Sequence, residues 1–329
     1  MKLTVAIPTF NGGSNLERAI RSCKNIQVSS EDYEILVIDN CSTDDSISNL
    51  KKLKDEFINL SVIENEVNVG RIQNWNICIN NAKGKFLIFL FSNDTINEKN
   101  NIHECLKILD ADNGISISFA SLLKKEINNS YLKKIFSSKI IQCKSDCFTR
   151  ECLNRGLLPF GPIQSIIYRT EDIKKDDNRF LTDMPINADE IFTYRETLKR
   201  DRLLFSPRPQ ITWDLTQGRF HGQMKIQDET KEHSETIKII SEITGIKVDY
   251  GLVLTYRAIN LLKFSAENIK SDGKKSATKH LLLKMKQSKS FFNTDKILIK
   301  AILEKIKNSK KDADDILYGE IISKCQNQY

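Results

Sequence analysis

What this sequence lacks narrows its class first. Its 329 residues contain no apolar run approaching the roughly 18 that a bilayer-spanning helix requires. Met1-Lys2-Leu3-Thr4 leads directly into a strand-like stretch rather than into a signal peptide, so a cytosolic chain is expected. Of its eight cysteines no two form a Cys-x-x-Cys pair, and Cys143, Cys147 and Cys152 cluster loosely with no histidine nearby. That spacing opposes a zinc site, and reduced, mostly buried thiols are the expectation. No Gly-x-Gly-x-x-Gly follows the first strand, which argues against a nicotinamide-dependent oxidoreductase.

The formal net charge is +7, but it is unevenly spread. From Gly251 onward there are 16 Lys/Arg against 8 Asp/Glu, which leaves 34 against 35 for residues 1–250. The front of the chain is therefore neutral and the basicity lies in the tail. No nucleic-acid motif accompanies those lysines, so nucleic acid is not an expected partner. In the tail Leu252, Leu254, Ala258, Leu261 and Leu262, and later Ile297, Leu298, Ala301, Ile302 and Ile306, recur at helical spacing. Two readings stand for these basic amphipathic helices: peripheral binding to an anionic membrane face, or else plain solvated helices or an oligomer contact.

What is present in the front part alternates. Leu3–Ile7, Glu34–Ile38, Leu60–Ile63 and Phe86–Phe91 read as buried strands, and helices are expected over 15–24, from Ser42-Thr43-Asp44-Asp45 through Phe57, and over 72–82. Strands alternating with helices of this length predict βαβ crossovers and a mainly parallel sheet. Beyond Asn97 a helix over 98–110, strands at Ile115–Ala120 and Ile163–Tyr168, and a helix over Asp189–Arg200 are expected, while 128–155 is not assignable. Asp39 and Asp94 stand where apolar runs stop, so each should project from the carboxyl edge of the sheet, where open α/β sheets bind ligands.

At these positions the chain resembles the family 2 glycosyltransferases of GT-A fold, of the bacterial kind that assembles O-antigen, capsule or other surface polysaccharides. The resemblance rests on an ordered set: Val5-Ala6-Ile7-Pro8-Thr9-Phe10-Asn11, Val37-Ile38-Asp39-Asn40-Cys41-Ser42-Thr43-Asp44, Asn68-Val69-Gly70 with Asn74-Trp75-Asn76, and Ala82-Lys83-Gly84-Lys85. It covers about residues 1–215 and implies a Rossmann-like α/β domain there, with a helical, basic C-terminal region over 216–329. It implies an inverting transferase that takes a nucleotide-sugar, most simply a UDP-sugar, and glycosylates a hydroxyl of a lipid-linked or growing surface glycan. The alternative is a non-catalytic protein of the same fold that binds glycan or lipid carrier.

The resemblance also implies site residues. Asp39 would accept the uracil imide and Phe10 would face the ring; the competing readings are a helix-capping carboxylate and a core aromatic. Pro8, Thr9, Asn11, Asn68, Gly70, Arg71 and Asn93 would line the nucleotide pocket. Asp94 would hold Mn2+ or Mg2+ against the diphosphate, or else cap the next helix. Asp189 would be the catalytic base, with Glu190 in reserve, unless both acids only favour a helix N-terminus. Gly161 and Pro162 would lie beside the acceptor, and His221 would close over the diphosphate, though a lone surface histidine is the plainer reading. Three departures stand out. Family members commonly read Asp-x-Asp-Asp where this chain has Phe91-Ser92-Asn93-Asp94, an acid pair where it has Ala188-Asp189, and a basic residue near the donor where it has Trp75.

Overall fold

The computed structural model describes residues 1–125, 130–133, 139–158, 162–175, 179–214, 216, 226–248, 253 and 313–326. The chain divides into two compact units, one of Met1–Ser145 with Phe160–Gln223 and one of Asp146–Pro159 with Met224–Tyr329.

The first unit is built on four parallel strands, β1 (Leu3–Thr9), β2 (Tyr33–Asp39), β3 (Leu60–Glu64) and β4 (Phe86–Phe89). They lie in the order β3-β2-β1-β4. Every residue of β1 and β2 is buried, as expected of a parallel sheet covered on both faces. The covering helices of this half are α1 (Gly13–Ser22), α2 (Ser46–Glu56) and α3 (Arg71–Asn81). Beyond β4 the sheet continues with β10 (Ile166–Arg169), β6 (Ile115–Ala120), β11 (Arg202–Ser206) and β9 (Ile141–Lys144). Here β10 is antiparallel to both neighbours and β6 runs parallel to β11. A second sheet has the order β5 (Thr95–Ile96), β12 (Ile211–Asp214), β7 (Leu122–Lys125) and β8 (Ser130–Lys133). The remaining helices of the unit are α4 (Ile102–Ala111), α6 (Thr170–Lys175) and α7 (Ala188–Thr197).

The expected α/β architecture is therefore the observed one, with local differences. The strand expected to stop at Pro8 runs on to Thr9. Pro8 has the same parity along the strand as Ala6, which accepts the Leu90 amide on the β4 side, so its missing N–H falls where the β1–β4 ladder ends, while the β2 side continues to Thr9. Of the strand expected over Ile163–Tyr168, residues Ile163–Ser165 form a 3-10 turn after Pro162 and only Ile166–Arg169 is extended. The unassigned stretch supplies β8 and β9.

Two buried polar clusters knit this unit. The Thr4 hydroxyl donates to Glu34 Oε1 at 2.6 Å and accepts the Gly84 amide at 2.8 Å, while the Lys83 amide reaches Glu34 Oε1 at 2.7 Å. Arg169, buried at the end of β10, donates to the carbonyls of Ile115 at 2.7 Å and Asp112 at 2.8 Å and so satisfies the chain leaving α4.

In the second unit, α5 (Ser145–Asn154), α8 (Ile226–Thr244) and α9 (Ala313–Gln326) are described. Cys147 of α5 is joined to Cys325 of α9 by a disulfide, which corrects the expectation of reduced thiols throughout. The partners are 178 residues apart, so no local spacing announces the pair. Cys23, Cys78, Cys105, Cys143 and Cys152 are buried thiols outside the disulfide, as expected. The Lys324 ammonium donates to Glu151 at 2.7 Å beside the disulfide. The amphipathic helices expected over 252–262 and 297–306 lie, except for Val253, outside the described residues. Among the described residues, no helix is long and apolar enough to cross a membrane.

Candidate active site

Because β2, β1 and β4 are parallel neighbours, their carboxyl ends share one edge. Thr9 is in register with Asp39 there. The chain leaves β1 through Phe10, 48% exposed, and Asn11, whose φ of 52° is left-handed. The exposed ring of Phe10 sets aside its reading as a core aromatic. Gly12 follows because nothing larger fits: a Cβ would lie 2.6 Å from Thr9 Oγ1 and 3.4 Å from the Ser92 side chain. The turns after β1 and β2 are tied to each other. The Asn11 amide donates to Ser42 Oγ at 2.8 Å, and the Thr43 amide donates to Asn11 Oδ1 at 2.8 Å.

Asp39 is 1% exposed. Its two oxygens accept the Ser42 amide at 2.8 Å and the Ser42 hydroxyl at 2.5 Å. Neither bond goes to an amide of α2, so the carboxylate serves the turn rather than the helix. Ser42, expected at the start of that helix, sits four residues before it, and Asp44 instead accepts the Ser46 amide at 3.0 Å.

Next to Asp39, asparagines extend the edge toward α3. Asn40 donates to Asn68 Oδ1 at 2.8 Å, and its own Oδ1 accepts the Val69 amide at 3.0 Å and Asn65 Nδ2 at 3.1 Å. Asn74 closes this network by donating to the Ile38 carbonyl at 3.1 Å. Gly70 adopts φ 83° to turn the loop into α3, and Asn68 Oδ1 accepts its amide at 2.9 Å. Arg71 then stacks over Trp75, 4.8 Å from the ring centroid, and donates to the Pro185 carbonyl three residues before α7.

On the other side of β1, Asp94 follows β4 and is also 1% exposed. It accepts the Asp214 amide at 3.1 Å and Gln164 Nε2 at 3.3 Å. Burial pushes its carboxyl up to about 7; the Asp214 charge adds to this, and the two hydrogen bonds and Arg18 oppose it. The Asp214 carboxylate also feels burial, but bonds from Thr216 and Lys125 outweigh it and hold it below the usual range. Arg18 donates to the Asn93 carbonyl at 2.8 Å and pairs with Asp214 at 3.4 Å. Among the described residues no three His, Cys, Asp or Glu side chains gather as a metal cage. Mg2+ and Mn2+ need only one or two protein carboxylates when a diphosphate and water complete the shell. Asp94 with its neighbour Asp214 meets that need, and the buried Gln164 Oε1, which has no hydrogen-bond partner, leaves an unused neutral oxygen beside them.

Asp189 and Glu190 are half-buried in the first turn of α7, with the Asp189 carboxylate accepting the Glu190 amide at 3.0 Å. That helix packs on the 3-10 turn carrying Gln164, which in turn holds Asp94. Pro162 begins the same turn. The structure thus draws together Thr9, Phe10, Asn11 and Asp39 on one flank of β1, Asn93 and Asp94 on the other, and the Asn68-Gly70-Arg71 loop with the approach to α7. Gly161 and His221 lie outside the described residues. Sequence reasoning passes over Asn40, Arg18 and Asp214 as members of this set, and places Gln164 only in the acceptor-side loop with Gly161 and Pro162. Asp214 follows the alternating stretch Ile211-Thr212-Trp213 rather than an apolar run like those before Asp39 and Asp94, so it too is recognised only through its long-range contact with Asp94.

The fold and this edge define a nucleotide-binding α/β domain of GT-A type. Residues 4–175 match the model of glycosyl transferase family 2, just over half of the chain, and the chain belongs to that family. It is 24% identical over 206 residues to the poly(ribitol-phosphate) beta-N-acetylglucosaminyltransferase TarS of Staphylococcus aureus, covering 62% of this chain and 34% of TarS. It is 31% identical over 156 residues to the GalNAc(5)-diNAcBac-PP-undecaprenol beta-1,3-glucosyltransferase of Campylobacter jejuni, covering 46% of this chain and 47% of that protein. The match thus spans a third to a half of the length of these relatives. Among solved structures, TarS 1–349 in complex with UDP-GlcNAc has a TM-score of 0.65 at 18% identity, covering 100% of this chain and 93% of that one. The mannosyltransferase PcManGT from Pyrobaculum calidifontis, in complex with GDP-Man and Mn2+, has a TM-score of 0.50 at 14% identity, covering 85% and 84%.

Proposed function

We propose that this protein is an inverting glycosyltransferase that moves a sugar from a uridine-diphosphate donor onto a hydroxyl of a lipid-linked or growing bacterial surface glycan. The observation that carries the reading is the placement of Asp39 and Asp94 at one sheet edge, on either flank of β1. Asp39, its rotamer held by Ser42, accepts the imide N–H of uracil, and the exposed ring of Phe10 covers the base. Pro8, Thr9, Asn11, Asn68, Gly70, Arg71 and Asn93 line the path from base to diphosphate.

Asp94, beside Asp214, is the ligand for Mn2+ or Mg2+. When bound, the cation offsets the charge that develops on the leaving diphosphate. Asp189 takes the acceptor hydroxyl proton, Glu190 and Pro162 lie on the acceptor side, and one in-line displacement inverts the anomeric carbon. The relatives named above act on poly(ribitol-phosphate) and on an undecaprenyl-diphosphate glycan, which supports an acceptor of that class. We place the enzyme in the cytoplasm at the inner membrane face, with the basic C-terminal region as its contact.

A second reading, a binding protein of the same fold without activity, is favoured by the absent acids at Phe91 and Ala188. Titration calorimetry with UDP, with and without Mn2+, together with a screen of UDP-sugars for turnover, tests both. Metal-enhanced UDP binding with turnover is expected. Binding without turnover of any donor selects the second reading, and absence of UDP binding removes both.

A further inference from the structure

Of three positions that depart from the charged pattern the resemblance implies, Trp75 and Phe91 are in contact, and a chain of rings links them to the helix face that carries the third, Ala188. Trp75 and Phe91 are in ring contact at 5.1 Å. Phe180 meets Trp75 edge-on at 5.2 Å and stacks on Phe192 at 4.1 Å. Phe192 is one helical turn beyond Ala188, so both lie on one face of α7. Trp75 is 6% exposed and Phe180, Phe192 and Ala188 are buried, whereas Phe91 keeps part of its surface open. Where the resemblance implies a basic residue and two acids, this chain has apolar residues, and the linked rings form one apolar wall.

The place of this wall in the site follows from the geometry of displacement. An in-line transfer sets the anomeric carbon between the leaving diphosphate, at Asp94, and the attacking hydroxyl, at Asp189. Phe91 is three residues before Asp94, and Ala188 precedes Asp189 directly. Whatever bridges those two segments borders the donor sugar. An aromatic ring face satisfies no hydroxyl, so a sugar O–H pressed on it loses its water without compensation, whereas a C–H face or methyl group is favoured there.

We propose that Phe91, backed by Trp75, Phe180 and Phe192, selects the donor sugar, and that the preferred donor is a nucleotide-linked deoxy-sugar presenting a methyl or methylene group to Phe91 in place of a hydroxyl. This rests on the glycosyltransferase reading above. The test compares UDP-hexoses with their 4-deoxy and 6-deoxy counterparts, measuring affinity by calorimetry and donor turnover with the full-length protein.

One deoxy donor should exceed its parent in kcat/KM by roughly 10-fold or more, the discrimination an apolar pocket gives for a single group. Phe91→Leu should keep that preference and Phe91→Asn should cancel or reverse it, with UDP alone still bound by both variants. If UDP binds the wild-type protein but no deoxy donor is favoured, or if Phe91→Asn leaves the ratio unchanged, the apolar-wall proposal is overturned while the transferase reading stands. If UDP does not bind at all, both fall.

Discussion

The Ser42 hydroxyl donates to Asp39 Oδ1 at 2.5 Å while its oxygen accepts the Asn11 amide at 2.8 Å. One side chain therefore fixes both turns that leave the sheet toward the nucleotide pocket. Ser42→Ala should weaken UDP binding by roughly tenfold, the effect of about 1.4 kcal/mol, close to the value of one hydrogen bond to a charged group. Ser42→Thr, which keeps the hydroxyl, should restore it. Unchanged affinity in the alanine variant would separate Asp39 from base recognition.

Asp189 lies in the first turn of α7, and the segment just before that helix is held by Arg71 through the Pro185 carbonyl. Asp189→Asn preserves shape and removes the proton acceptor. Turnover should fall by about 100-fold or more, the scale of general-base catalysis, with UDP affinity within twofold of wild type. A variant that turns over normally takes Asp189 out of the base role and leaves Glu190 to be tried.

Gly84 and Gly70 are required for different physical reasons, and alanine separates them. A Cβ on Gly84 would stand 2.4 Å from the Leu3 carbonyl carbon and 2.5 Å from the Thr4 nitrogen, inside the backbone of the central strand. Gly84→Ala should cost about 3 kcal/mol or prevent folding. Gly70 has open space around it but combines φ 83° with ψ 160°, a region open essentially to glycine alone, so Gly70→Ala should cost about 2 kcal/mol through backbone strain. Chemical denaturation of both variants checks the order; equal losses would mean that Gly84 does not press on β1.

Much of the first unit was legible because its signals are local. Buried apolar runs ending in Asp39 and near Asp94 mark parallel strands and the edge at which a site is expected, and Gly70 marks the turn into α3. What was not legible is set by pairs distant in sequence. Gln164 and Asp214 meet Asp94 from 70 and 120 residues away, and Ser42 was taken by its neighbours for a helix start when its partner is Asn11. The departures at Trp75, Phe91 and Ala188 were visible one by one. Only the fold shows the chain of rings that links them.

The Cys147–Cys325 pair makes the second unit's dependence on redox state measurable. A link closing 178 residues removes loop entropy from the unfolded chain worth up to about 5 kcal/mol in the chain-entropy account. Beside it α5 and α9 also share the Phe148–Tyr318 ring contact at 6.5 Å and the Lys324–Glu151 ion pair at 2.7 Å, which with Lys324 half exposed supplies at most about 1 kcal/mol. Reduction, or Cys147→Ser, should therefore lower the unfolding temperature of this unit, and limited proteolysis should release α9 first. The first unit, which holds none of the disulfide, should keep its UDP affinity. Disulfides are uncommon in the reducing cytoplasm proposed for this enzyme. If thiol titration of protein purified anaerobically from the cytoplasm counts eight free cysteines and a reductant leaves the melting profile unchanged, the link contributes nothing to the working fold there.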